Sequence, residues 1–152
     1  MKMLTRLTVT SQSFNHDEMM DSCYTCDGRN ISPHLNWSGA PDHTKCFAVS
    51  CVDPDAPSGS FVHWMVYNIP VSTHDISESG VFKSPAVTLK NDFGRAEYGG
   101  PCPPSGTHRY FFTVYALDSG SLSAGNKREF FKLVEDHCIA KGYIIGKYSR
   151  KP

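Results

Sequence analysis

Three runs of β-branched and aromatic residues constrain the fold of this chain more than any other feature. They occupy residues 46–52 (CFAVSCV), 62–69 (VHWMVYNI) and 109–117 (RYFFTVYAL). In the first run Phe47 and Val49 alternate with Ala48 and Ser50, which is the period of a β-strand. Segments rich in proline, glycine and aspartate separate the runs and favour tight turns. The pattern predicts a mainly β, antiparallel sandwich.

One α-helix is predicted near the C-terminal end. Asn126 is of a residue type that caps helix N-termini, and apolar residues from Phe130 to Cys138 recur at helical spacing. We expect Gly142 to cap the C-terminal end of this helix. Residues 143–149 (YIIGKYS) then read as a last strand. With no repeat or linker, the sequence predicts a single domain over residues 1–152.

The charge balance limits the kinds of partner. Fifteen Lys and Arg residues balance fifteen Asp and Glu residues, which excludes binding to nucleic acid or to an anionic membrane driven by net charge. Residues 1–10 lack the apolar run of a signal peptide. Residues 56–74, which carry no Asp, Glu, Lys or Arg, include prolines that argue against a membrane helix. We therefore expect a cytoplasmic protein in which all six cysteines are reduced thiols.

Ionisable residues flank the predicted strands at points where the chain turns. The segment from Asp53 to Pro57 (DPDAP) directly follows the first strand, and His63 lies near the start of the second. At the start of the third strand, alternation places His108 and Tyr110 on the same face. If these strands share an end of the sheet, the four side chains Asp53, His63, His108 and Tyr110 converge on one pocket.

Such a set of side chains suits a small anion. Two histidines, a tyrosine hydroxyl and loop N–H groups are donors, and Asp53 can orient one histidine and favour its charged form. A phosphate monoester carries about −1.5 to −2 charge and three acceptor oxygens, while Pro103 and Pro104 can wall the pocket without adding N–H groups. The sequence therefore predicts a small anionic or phosphorylated ligand, bound more tightly as the pH falls from about 8 to about 6.5.

At this point the motifs resemble a known family. The DPDAP segment at 53–57, His63 and residues 100–110 (GPCPPSGTHRY), together with residues 26–37 (CDGRNISPHLNW), resemble the phosphatidylethanolamine-binding protein family. The similarity is greatest to its bacterial, Raf-kinase-inhibitor-like branch. It extends over residues 14–148, nearly the whole chain.

The resemblance implies a β-sandwich in Greek-key order with a small anion pocket at one edge. Residue by residue, it assigns to that pocket Asp53, Pro57, His63, Pro103, Pro104, His108 and Tyr110. The loop beside them adds Gly100 and Cys102 to the predicted wall. The resemblance further implies a cis peptide bond before Pro57. It also implies a protein partner such as a kinase or a protease, since some family members inhibit these enzymes.

The cysteines raise two further questions. Cys102 stands where many eukaryotic members have glycine, and we expect an inert small side chain there rather than a redox-sensitive lid. The Cys23-Tyr-Thr-Cys26 segment has no second close pair of cysteines, as a zinc ribbon requires, and a turn follows it instead of a helix. We therefore expect neither a metal nor a cofactor.

Two alternatives to a binding protein stay open. One is a hydrolase that acts on a phosphoryl or acyl ester. It would use Cys102 and His108 with Asp53 as a third member, or an acid–base pair of side chains. We place it below binding because the donor set contains no obvious nucleophile. The other is a regulatory protein whose pocket only senses a ligand while another surface binds a partner. Exposed edge strands also leave a homodimer open.

Overall fold

A computed structural model describes residues 4–150, so residues 1–3 and 151–152 of the predicted domain lie outside the described part. The strands in chain order are β1 (Thr5–Arg6), β2 (Thr8–Thr10), β3 (Glu18–Met19), β4 (Leu35–Ser38), β5 (Cys46–Asp53), β6 (Phe61–Pro70), β7 (Asp75–Ile76), β8 (Val87–Thr88), β9 (His108–Leu117) and β10 (Cys138–Tyr148). A short 3-10 helix covers Ser22–Tyr24, and the α-helix α1 covers Lys127–His137.

The strands form two sheets. The large sheet has seven strands in the order β1-β10-β9-β5-β6-β8, with β3 also paired to β10, and the small sheet has the order β2-β4-β7. The long central pairs are antiparallel, whereas β1 and β3 run parallel to β10. The prediction of a mainly β sandwich with a C-terminal helix is confirmed, with these two short parallel pairs as an addition.

The large sheet is buried on both faces. Phe47 and Val49 pack with Trp37 of the small sheet in one apolar cluster. On the opposite face, Ala48 belongs to a second cluster that contains Phe130 of α1. This arrangement explains why β5 is apolar at nearly every position, although its two faces still alternate as expected.

The start of α1 is as predicted, but its end is not. The Asn126 side chain accepts a hydrogen bond from the backbone N–H of Glu129 at 2.9 Å, as an N-cap does. The helix ends at His137, whose carbonyl accepts from the Asp118 N–H, so no glycine cap is needed. The expectation that Gly142 caps the helix is wrong, because β10 begins at once and Gly142 lies inside it. Within the described residues, no helix combines the length and the apolar character needed to cross a membrane.

The segment after β5 turns without the expected cis bond. Across residues 4–150 the cis peptide bond precedes Pro85, so the peptide bond before Pro57 is trans and that prediction is wrong. Two other contacts reverse the chain there. A carboxylate oxygen of Asp53 accepts from the Asp55 N–H at 2.8 Å, and the Gly59 N–H donates to the Ala56 carbonyl at 3.0 Å. The Asp53 side chain thus closes a turn that reverses the chain without a cis proline.

Candidate functional site

Three strand ends meet at one edge of the large sheet. Asp53, the last residue of β5, pairs with Phe61, the first residue of β6. On the other side of β5, the β9 strand begins at His108 and pairs with β5 from Phe111 onward. The condition for convergence is therefore met, and the predicted side chains come together because their strands are direct neighbours.

A pocket of about 200 Å³ opens between these strand ends and the loops next to them. Eight of the nine predicted site residues line it: Asp53, Pro57, His63, Cys102, Pro103, Pro104, His108 and Tyr110. Four further residues complete the lining: Ala56, Ser58, Phe61 and Phe93. The volume is below the usual range of about 300–1,000 Å³ for drug-sized ligands, so it suits a small ligand.

His108 and Asp53 form a buried pair in the pocket wall. Nδ1 of His108 lies 2.6 Å from one carboxylate oxygen of Asp53, and both side chains are buried. The other carboxylate oxygen accepts from the Asp55 N–H, so Asp53 is held from both sides. The expectation that Asp53 orients a histidine is thus met at His108.

His63 is fixed by the loop rather than by a carboxylate. Its Nδ1 lies 2.6 Å from the carbonyl oxygen of Gly99, and the ring is buried. Burial lowers the pKa of the His63 imidazole, while the hydrogen bond to Gly99 opposes this change. His63 is therefore a neutral imidazole near pH 7, whereas the sequence favoured a charged donor.

Tyr110 brings an unused hydroxyl to the pocket. The side chain is completely buried, and no group meets hydrogen-bond geometry with its hydroxyl oxygen, although the Asp53 carboxylate and the Cys102 backbone lie close to it. Burial, followed by the nearby Asp53 carboxylate, raises the pKa of Tyr110 well above its usual range, so the O–H stays protonated. A buried hydroxyl without a partner costs free energy, and a ligand oxygen in the pocket would remove that cost.

The positive charge beside the pocket is already neutralised. Arg109 lies on the opposite face of β9 from His108, as alternation predicts, and forms a two-pronged ion pair with Asp55 at 2.8 and 2.9 Å. These hydrogen bonds lower the pKa of Asp55 to about 2. The positive charge of Arg109 at the rim is therefore paired, and the residues that line the pocket include no lysine or arginine.

A disulfide ties the pocket loop to the N-terminal part of the chain. Cys26 and Cys102 are bonded, with their Cα atoms 5.5 Å apart, and the Cys26 N–H donates to the Pro101 carbonyl. The expectations of six reduced thiols and of an inert Cys102 are therefore wrong. A nucleophilic Cys102 thiolate is excluded as well, because its sulfur is bonded to Cys26.

Gly100, the ninth predicted residue, lies outside this pocket and serves the packing of the loop. Its N–H donates to the Asn30 side chain at 2.8 Å, and it lines a neighbouring cavity together with Asn91. A Cβ atom here would collide with the Tyr24 carbonyl oxygen and with Asn30. The loop thus needs glycine at this position because the backbone of the N-terminal part lies directly against it.

Replacing Gly100 with alanine is expected to destabilise the protein by about 1–3 kcal/mol, because the loop must move away from Tyr24 and Asn30. Gly120→Ala is the matched control, since the nearest atom to its added Cβ is a Lys45 carbon at 4.0 Å. Urea unfolding of both variants measures the difference. Equal stabilities of the two variants would show that the close contact at Gly100 is unimportant.

Four lining residues were not predicted from the sequence, and two of them, Phe61 and Phe93, bring aromatic rings to the pocket. Phe61 is two positions before His63 on β6, and the two rings lie 4.9 Å apart between centres, so strand alternation could have identified it. Phe93 comes from a distant loop that Asn91 organises through its side-chain oxygen, and no local pattern points to it. Phe93 is 47% exposed and lies 4.8 Å from Phe61 and 5.3 Å from His63 between ring centres. The pocket therefore has an aromatic rim.

A larger, open groove of about 1010 Å³ adjoins the pocket and shares Pro104 with it. Its two charged lining residues, Asp27 and Arg150, pair with each other, and Tyr148 donates to Asp27 at 2.7 Å. The charged groups and the tyrosine hydroxyl of the groove thus satisfy one another. The smaller pocket, with its unpartnered Tyr110 hydroxyl, is the better candidate for a specific site.

Together, the fold and the site define a β-sandwich protein with a small pocket, lined by polar and aromatic side chains, at one sheet edge. A family model described as phosphatidylethanolamine-binding protein matches residues 10–149. A UPF0098 protein of Aquifex aeolicus is 46% identical over 153 aligned residues, which cover 95% of this chain and 89% of that protein. A UPF0098 protein of Methanothermobacter thermautotrophicus is 41% identical, with 95% and 99% covered.

Solved structures agree with the sequence comparisons. The crystal structure of YbcL from Escherichia coli, described as a new member of the mammalian PEBP family, superposes with a TM-score of 0.90 at 33% identity. The match covers 97% of this chain and 100% of YbcL. This chain belongs to the phosphatidylethanolamine-binding protein family, and the resemblance seen in its motifs is confirmed.

Proposed function

We propose that this protein binds a small oxyanion, such as the phosphoryl group of a phosphorylated metabolite or head group, in the pocket formed by His63, His108 and Tyr110. The buried, unpartnered hydroxyl of Tyr110 is the observation that carries the proposal. It is a donor in a pocket whose lining also includes two histidines, two phenylalanines and three prolines. An oxyanion supplies the acceptor that this hydroxyl lacks.

The family description supports the same ligand class. The matching family model is described by binding to phosphatidylethanolamine, whose head group contains a phosphoryl oxyanion. A pocket of about 200 Å³ suits the head group better than the lipid chains. Binding is favoured over hydrolysis because Cys102 is held in the disulfide and supplies no thiolate nucleophile.

O-phosphoethanolamine is expected to bind with saturable shifts of the His63 and His108 signals in a histidine-resolved NMR titration. Tyr110→Phe should weaken this binding at least about tenfold, because a hydrogen bond to a charged group is lost. The hydroxyl has no partner in the unbound protein, so removing it leaves the fold intact. Tyr110→Phe therefore separates a binding defect from a folding defect, which His108→Ala would not do since it removes the ring that pairs with one oxygen of the buried Asp53 carboxylate.

His137→Ala is the matched control for this titration. His137 lies at the end of α1, away from the pocket, and pairs with Asp118 at 3.1 Å. Its signal should not move with ligand, and its replacement should not change the affinity. Unchanged binding in Tyr110→Phe, or the absence of shifts in a folded native protein, would count against the proposed pocket.

A further inference from the structure

The pocket loop, residues 99–104, positions two side chains of the pocket at once. Its first residue, Gly99, holds His63 through the 2.6 Å contact between the carbonyl oxygen and Nδ1. Three residues later, the Cys102 backbone lies close to the Tyr110 hydroxyl, and Cys102 itself lines the pocket. A displacement of this loop would therefore move the groups that surround both His63 and Tyr110.

The loop depends on the N-terminal part of the chain for its position. Residues 99–107 lie outside the helices and strands, so no ladder of sheet hydrogen bonds fixes them. Three contacts tie the loop to residues 26–30, which also lie outside those elements. They are the disulfide from Cys26 to Cys102, the hydrogen bond from the Cys26 N–H to the Pro101 carbonyl at 3.1 Å, and the one from the Gly100 N–H to the Asn30 side chain at 2.8 Å. The disulfide is the covalent member of this set.

The disulfide is open to solvent on one side. Cys26 is exposed and Cys102 is half-buried, whereas the free thiols of Cys46, Cys51 and Cys138 are buried. A thiolate from outside can therefore approach the Cys26 side of the bond without opening the sheet. Exposed disulfides are more often the labile and regulatory ones.

We propose that the Cys26–Cys102 disulfide is a reversible redox switch for the pocket, so that its reduction by a dithiol releases the pocket loop and weakens oxyanion binding. This inference rests on the proposed function and names a way in which that same site is regulated. The reductant is chemically a dithiol, which supplies two electrons and two protons.

The exchange proceeds in two steps. One thiolate of the dithiol attacks the Cys26 sulfur, and the Cys102 sulfur leaves as a thiolate. The second thiolate of the dithiol then attacks its own sulfur in the mixed disulfide and releases Cys26. The protons of the dithiol end on the two cysteines, and the dithiol becomes a disulfide. Cys102 is then free to move with the loop that carries it.

Binding and reduction are coupled in both directions. If reduction weakens binding tenfold, linkage requires that a saturating ligand makes the bond harder to reduce by the same factor. For this two-electron couple, a tenfold change lowers the reduction potential by about 30 mV. The protein then holds its oxyanion under oxidising conditions and releases it where dithiols are reduced.

The test is a calorimetric titration of the native protein with O-phosphoethanolamine, before and after reduction by dithiothreitol. We expect the oxidised protein to bind at least about tenfold more tightly, which lies within the usual range of coupling between two sites. In mixtures of reduced and oxidised dithiothreitol, alkylation of free thiols and mass spectrometry measure the reduction potential. Saturating ligand should lower this potential by about 30 mV or more.

Two variants and one remote histidine are the controls. Cys23→Ser keeps the disulfide and should respond to dithiothreitol as the native protein does. The double variant Cys26→Ser/Cys102→Ser should bind as weakly as the reduced native protein, and dithiothreitol should not change its affinity. In histidine-resolved NMR spectra, reduction should shift the signal of His63 but leave that of His137, at the end of α1, in place.

Other results would overturn the inference in distinguishable ways. Equal affinities of the oxidised and reduced proteins would remove the switch while the anion pocket stands. Collapse of the His137 signal to its unfolded position on reduction would show that the whole domain unfolds, which contradicts a switch confined to the loop. Failure of both redox forms to bind would remove the proposed anion pocket itself, and with it this inference.

Discussion

Replacing both Cys26 and Cys102 with serine is expected to lower the free energy of unfolding by about 4 kcal/mol relative to the native chain. The bond joins residues 76 positions apart. Without it, the unfolded chain regains the conformational freedom of a long loop, and this entropy accounts for a loss of that size. Urea unfolding under oxidising conditions, analysed as a two-state transition, measures the difference.

Cys23→Ser is the matched control for this experiment. Cys23 is three residues before Cys26 and lies outside the disulfide, so its replacement changes a cysteine in the same segment without opening the loop. A reductant should lower the stability of the native chain and of Cys23→Ser to the level of the double variant, and should leave the double variant unchanged. A double variant within about 1 kcal/mol of the native chain would contradict the assigned role of the bond.

The sequence predicted the convergence of the site better than its chemistry. Strand alternation and adjacent strand ends were sufficient to bring His63, His108 and Tyr110 together, because both depend on local pattern and simple sheet topology. The ring nitrogen that each histidine uses within the protein depends on where the Gly99 carbonyl and the Asp53 carboxylate lie relative to the two rings. No residue pattern contains that information, and because both partners of Nδ1 are acceptors, each Nδ1 donates within the protein rather than to a ligand.

The loop beside the pocket shows a second limit of the sequence. Cys26 and Cys102 belong to segments whose approach is set by the tertiary fold, and an argument from cellular compartment cannot detect such a pairing. Gly100 was singled out as part of the pocket wall, but glycine is required there because Tyr24 and Asn30 lie against its backbone. Phe93 enters the rim from a loop that Asn91 shapes, and the Asn91 amide also donates to the His63 carbonyl, a contact between residues distant in sequence.

Replacing Asp53 with asparagine is expected to invert the tautomer of His108 and so to change the kind of ligand oxygen that this ring can bind. The Asp55 N–H needs an acceptor, so the amide oxygen of the new side chain should accept from it. The NH₂ of the amide then faces Nδ1 of His108. An imidazole that accepts at Nδ1 carries its proton on Nε2 and can donate from there. The affinity for O-sulfoethanolamine, a sulfate ester of the same shape as O-phosphoethanolamine, should then rise at least about tenfold.

Asp55→Asn is the control, because it removes the same charge two residues away, from a carboxylate that pairs with Arg109 rather than with His108. It should raise the affinity for both esters by similar factors and leave their ratio unchanged. Nitrogen-15 shifts of His108 in the unbound proteins report the tautomer directly, independently of any ligand. An unchanged tautomer in Asp53→Asn, or an unchanged ratio of the two affinities, would show that the Asp53–His108 contact does not set which oxyanion the pocket accepts.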